Sequence, residues 1–254
     1  PEKGGLPALT DFLSISRDGS KLAFIGLDAT GKAQLWVRSL DSPAAQPLPG
    51  TESPRFPFWS PDSRFLAFNA EGNLKTIAVS GGPAQTLAEG VNGGTWSGEG
   101  VVLFTKNASS GIYRVSAAGG AATPVTTLDA GRQENAHLWP YFLPDGKHFL
   151  YFVRSTKTEN NAIYVGSLDS KERKLLLNAT SNPVYVSPGY LLFNRAGTLM
   201  AQPFDAERIE LTGEAVPIAE GLQFSAISGR TAFAASENGV LAYRAGGAGD
   251  ALSE

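Results

Sequence analysis

The chain has 254 residues, enough for one large domain with a sizeable core, and 42% hydrophobic against 18% charged residues mark it as globular, not disordered. Twenty-one Lys and Arg against 24 Asp and Glu give a net charge of −3 without charge blocks, which disfavours a nucleic-acid binder tracking phosphates with a basic face. Zero Cys excludes disulfides, thiolate metal sites and thiol nucleophiles, and no apolar run approaches the ~18–20 residues that span a bilayer. Residues 1–5 carry no signal-peptide core, so any such segment is expected outside the chain.

With 29 Gly, 16 Pro and one Met, and no stretch patterned as a long amphipathic helix, the sequence reads as many short strands. Residues 12–24 form strand, tight turn at Asp18, strand. The same unit returns at 58–68 around Asp62, 95–104 around Glu99, 141–151 around Asp145 and 233–243 around Asn238, with a short-turned copy at 184–193. The spacing averages roughly 44 residues. Third strands follow at 34–40, 74–79, 112–115, 163–168 and 198–204, and fourth strands at 45–48, 84–87, 123–126, 173–176 and 215–218. Pro47, Pro124 and Pro217 in the fourth strands cannot donate to a ladder and so suit an outermost edge.

Four strands repeated at this period predict an all-β fold: a six-bladed β-propeller of four-stranded antiparallel blades, occupying 1–254 as a single domain. The expected blades are about 11–50, 54–90, 94–129, 138–179, 183–221 and 229–254. Segment 5–10 is expected to close the ring as an outer strand of the last blade, whose remaining strand would come from 250–254.

The elements ending at Phe24 and Phe68 and the strand ending at Leu40 resemble the TolB-like (WD-like) propeller repeat family. Segments 139–146, 167–170 and 197–205 are similar to the sensor-type propellers attached behind bacterial serine/threonine protein kinase domains. The resemblance covers nearly the whole chain. It implies an extracytoplasmic bacterial protein, periplasmic or on the cell surface, with a kinase domain in the parent protein. That domain would lie outside these residues, which hold no Gly-rich loop, His-Arg-Asp or Asp-Phe-Gly. No activity is implied, because the same repeat accompanies peptidases, scaffolds and lyases.

Residues 26–33 come one residue short of a phosphate-binding loop, but Ala33 stands where Ser or Thr must hold magnesium and a strand follows, so the segment is a hairpin loop. There is no Gly-x-Ser-x-Gly. Of the two histidines, His148 sits in an exposed turn, and His137 is either a packed, hydrogen-bonded loop residue or part of a ligand site. Two His and no Cys make no structural zinc cluster. No catalytic residue, metal ligand or cofactor is assigned, with calcium on Asp or Asn oxygens in the channel the one ion left open. Asp18, Asp62, Glu99 and Asp145 read as caps of their own turns. Trp36, Trp59, Trp96 and Trp139, like Phe24, Phe68, Phe104 and Tyr151, recur as inter-blade packing, with Trp139 the candidate exception.

In a propeller the inter-blade connections and the second-to-third-strand loops share one face. Here that face receives 130–137, the long hairpin 154–161, Asn92, Asn182 and the 221–230 connection. The expectation is a non-catalytic binding or sensing module whose protein, peptide or glycan ligand docks there, around the mouth of the channel. Arg132, Glu134, His137 and Trp139 would supply polar and stacking contacts, with Arg55 and Arg230 as rim charges. The alternatives are a metal-assisted hydrolase or lyase acting on carbohydrate in the channel mouth, and a scaffold that docks a neighbouring domain.

Overall fold

The computed structural model describes residues 13–90 and 92–246. They form five four-stranded antiparallel blades in chain order. The first is β1–β4 (Leu13–Ile15, Lys21–Leu27, Ala33–Ser39, Ala45–Leu48), and the second β5–β8 (Arg55–Trp59, Phe65–Ala70, Asn73–Ala78, Gln85–Glu89). The third is β9–β12 (Asn92–Trp96, Val101–Thr105, Ile112–Ser116, Thr123–Pro124), and the fourth β13–β16 (Glu134–Phe142, His148–Ser155, Ala162–Ser167, Arg173–Asn178). The fifth has β17–β19 (Val184–Val186, Tyr190–Arg195, Thr198–Asp205) and outer strand β21 (Val216–Glu220), while β20 (Glu210–Leu211) extends the far end of β19. Two hairpins follow, β22–β23 (Phe224–Ser225, Arg230–Thr231) and β24–β25 (Phe233–Ala235, Leu241–Tyr243).

The core lies between blades, and the period of two in the strands puts it there. In β6, Leu66 and Phe68 turn towards the first blade while Ala67 turns towards the third. In β14, Phe149, Tyr151 and Val153 pack with the third blade while Leu150 packs with the fifth. The second to fifth blades thus bury both faces, and the stack of interfaces from first to fifth blade is continuous.

The sixth position departs from expectation. The described residues hold five four-stranded blades, not six, and the sixth place is filled by the two-stranded β24–β25. That hairpin shares a core with the fifth blade through Phe233, Val184 and Leu222. It touches the first blade through the Glu237 amide, which donates to the Arg17 carbonyl, and Asn238 Nδ2, which donates to the Asp18 carbonyl at 2.9 Å. After Tyr243 the chain reads Arg-Ala-Gly-Gly-Ala-Gly, without the β-branched or aromatic residues that favour a third strand. The expected closing segments 5–10 and 250–254 lie outside the described residues.

Candidate ligand-binding channel

The innermost strands β1, β5, β9, β13, β17 and β24 surround a cavity of about 120 Å³. Two local distortions shape its upper wall. Phe56 in β5 and Trp139 in β13 have φ of 51° and 54°, and the register of both strands slips there. Such bulges re-aim side chains, and positive φ at a bulky residue costs of order 1–3 kcal/mol. Each precedes a proline, Pro57 or Pro140, where the ladder already lacks a donor. The two rings meet edge to face at 5.0 Å. Gly93 of β9 leaves room for this meeting, since a Cβ there would stand 3.1 Å from the Trp139 ring and 3.2 Å from Phe56 Cβ.

The β22–β23 hairpin sits at the loop-side mouth. Trp139 Nε1 donates to the Ser228 carbonyl (2.8 Å), and Arg154 donates to the carbonyls of Ile227 (2.7 Å) and Ala108 (2.8 Å). Gly229, at φ 61°, presses against Phe152, where a Cβ would lie 2.4 Å from the ring. The Asn182 amide donates to the Gly229 carbonyl, and Asn182 Oδ1 accepts from the Thr231 amide (2.7 Å). Arg230 places its guanidinium 5.0 Å from the Trp139 ring centroid, a cation–π contact. At the opposite end, Arg17 reaches Glu237 (2.6 Å) and the Trp96 carbonyl (2.8 Å). Burial pushes the Tyr141 phenol up to about 12, so at neutral pH it is a hydroxyl and not a base.

Arg17, Arg230, Asn182, Tyr141 and Trp139 line the cavity, and among the described residues no Asp, Glu or His does. Among the described residues no group of three or more His, Asp or Glu side chains is placed to hold a metal ion.

The structure divides the six candidate residues. Trp139 and Arg230 come together on the channel, with Trp139 a buried wall and not an open stacking platform. Arg132, Glu134 and His137 belong to a second place, between the third and fourth blades. There His137 is fully buried, its Nε2 donates to Glu134 (3.0 Å), its Nδ1 lies 2.7 Å from Thr126 Oγ1, and its ring meets Tyr151 at 5.0 Å. Arg173 grips Glu134 with two nitrogens at 2.9 and 2.8 Å while stacking on Tyr164, and the Asp129 amide adds a third donor. Arg132 lies 3.8 Å away. Burial works to raise the Glu134 pKa, but the His137 and Arg173 hydrogen bonds outweigh it and lower it to about 2. Arg55 is exposed at the start of β5, and its side chain makes no ion pair among the described residues.

The turn acids behave largely as expected. Asp18 accepts from Ser16 and Ser20, Asp62 from Ser60 and the Arg64 amide, and Asp145 from the Lys147 and His148 amides. Glu99 makes no such bond among the described residues. Burial opposes the Ser16 and Ser20 bonds but loses, holding Asp18 at about 2. The tryptophans do not share one register: Trp59 and Trp96 pair alike with their second strands, Trp139 lies three residues upstream of its blade's counterpart Phe142, and Trp36 is on a third strand.

Sequence reasoning did not single out Phe56 or Tyr141 as lining residues, nor Asn182 as a site residue. A signal was there: Phe56-Pro57, Trp139-Pro140 and Asn182-Pro183 occupy the same place, three residues upstream of Trp59, Phe142 and Tyr185 on the first strands.

No family model and no curated protein matches the sequence. Among solved structures the chain is similar to a protein of Agrobacterium tumefaciens assigned as TolB, at 16% identity over 93% of this chain and 90% of that one, with a TM-score of 0.64. It is also similar to TolB from Acinetobacter baumannii, at 14% identity over 82% of this chain and a TM-score of 0.62; the chain spans 54% of that protein's length. A third similarity is to an oligogalacturonate lyase in complex with manganese, at 13% identity, 83% of this chain, 76% of that one and a TM-score of 0.51. These neighbours share the fold: the chain is a TolB-like β-propeller in architecture.

Proposed function

We propose that the chain is a non-catalytic binding or sensing module that takes an acidic segment of a partner protein at the loop-side mouth of its channel. One observation carries the reading. Among the described residues the cavity lining includes Arg230 and Asn182 at the loop-side mouth and Arg17 at the far end, and no carboxylate or imidazole. Such a lining favours carboxylates and offers no acid–base pair of the usual kind for hydrolysis or elimination. At about 120 Å³ it falls below the ~300–1,000 Å³ of pockets that engulf a small molecule, and it accepts one side chain or a chain end. The carbohydrate-enzyme alternative draws on the likeness to a lyase but finds no converging acids or histidines in the channel among the described residues. Extracytoplasmic placement and a kinase domain in the parent protein rest on resemblance and belong to this proposal.

The test is thermal unfolding against acidic, neutral and basic ten-residue peptides. A hundredfold excess over Kd stabilises by about 2.7 kcal/mol. A saturable rise in Tm with acidic peptides only, lost in Arg230→Ala, supports the reading. No rise with acidic peptides, or an equal rise with basic ones, contradicts it.

A further inference from the structure

A second cavity, of about 300 Å³, opens on the loop face between the fourth and fifth blades. Three segments converge on it: the short 3-10 turn Thr158–Asn160 with Asn161, the connection Asn178–Thr180, and the β18–β19 turn at Asn194–Ala196. The period of two in β15 sends Ile163 and Val165 to the side of the fifth blade, and Asn161, two residues before Ile163, turns the same way. Asn161 is only 9% exposed. Its Oδ1 is committed to the Ser155 amide at 2.8 Å, which fixes the side chain, while its Nδ2 has no hydrogen-bond partner among the described residues. This donor is rigidly held on a polar cleft, where an acceptor can meet it.

The rest of the lining sets the class of that acceptor. Arg195 lies with its guanidinium 5.3 Å from the Phe193 ring centroid, and Glu159 stands on the same cleft, yet neither enters an ion pair among the described residues. Thr158, Thr180 and Asn178 add uncharged groups that both donate and accept. One positive and one negative group cancel, so neither an anion nor a cation is selected. Interleaved donors and acceptors around Ala179 and Ala196 instead match a ligand whose neighbouring hydroxyls each do both.

We infer that this cleft is a binding site for a neutral sugar of one or two residues, with Asn161 Nδ2, Arg195 and Glu159 as its principal contacts. The site is separate from the channel and goes beyond the acidic-segment reading. Its size, at the lower end of small-molecule pockets, fits one or two pyranose rings.

The experiment is an NMR titration of the whole chain with N-acetylglucosamine and cellobiose, following the Asn161 side-chain NH2 signals, with glucuronate and a lysine peptide as class controls. The expected result is a saturable shift of those signals, and of residues 158–161, 178–180 and 195–196, with at least one neutral sugar. Asn161→Asp keeps the acceptor for Ser155 and replaces the donor. It and the exposed Arg195→Ala should each weaken binding tenfold or more, while Arg230→Ala leaves it unchanged. The proposal is overturned if neither sugar moves the Asn161 signals, if glucuronate or the lysine peptide alone moves them, or if Arg195→Ala binds as wild type. If sugar shifts centre on Trp139 and Arg230 instead, this cleft is excluded while the channel still binds; acidic peptides test that reading separately.

Discussion

The fourth blade contains two polar regions a few residues apart in sequence, and they are opposites. Glu134 and His137 are held in place: three donors converge on one buried carboxylate, and Thr126 and Tyr151 flank the imidazole. Two residues beyond His137, the chain bulges at Trp139 and turns outward to a channel where Asn182 and Arg230 line open space. A chemically eye-catching His–Glu pair is thus a fastener between blades, and the less conspicuous donors are the ones placed to meet a ligand.

Variants sharpen that contrast. The largest effect is expected from Glu134→Ala, which strands the Arg173 charge and removes the acceptor of His137 and of the Asp129 amide. Breaking a buried pair in this way costs about 3–5 kcal/mol, measurable by urea denaturation, while the folded fraction binds acidic peptides as before.

Acid should reveal the same fastener. With Glu134 lowered to about 2 in the fold against 4.5 as its ordinary value, its contribution is complete above pH 4.5 and is lost as pH falls towards 2. Wild-type stability should therefore fall more steeply than that of Glu134→Gln as pH drops through this window. Parallel curves would show that Glu134 carries no such role.

Arg230→Ala should do the reverse of Glu134→Ala. Its cation–π contact with Trp139 is worth about 0.5–1 kcal/mol, and the dominant change is expected in binding, where affinity for acidic peptides drops tenfold or more by calorimetry. The smallest effect belongs to Ile227→Ser at the tip of the β22–β23 hairpin. Ile227 is 86% exposed, and its carbonyl, not its side chain, holds Arg154, so Tm should move by an amount corresponding to no more than about 0.5 kcal/mol.

Much of the fold was legible because local chemistry repeats. The period of two, the turn acids and the prolines of outer strands located third and fourth strands to within a few residues of β3, β7, β11, β15 and β19 and their partners. The sixth position was expected to take a four-stranded blade completed by 5–10 and 250–254; the described residues place only the pair β24–β25 there, and the two completing segments lie outside them. The site was legible only as a face. The structure brings Trp139 and Arg230 together on the channel, but the cluster that buries His137 draws on Thr126 and Arg173, 11 residues before it and 36 after, a convergence that no local pattern encodes. Asn161 and Asn182 look like ordinary loop asparagines until their oxygens are seen to be committed to Ser155 and Thr231.

The most direct test of the account is calorimetric titration of an acidic ten-residue peptide into three proteins: wild type, Arg230→Ala and His137→Gln. The account predicts equal affinity for wild type and folded His137→Gln, and a loss of tenfold or more in Arg230→Ala. Undiminished binding in Arg230→Ala, with loss in His137→Gln, would show that the buried cluster and not the channel is the binding centre.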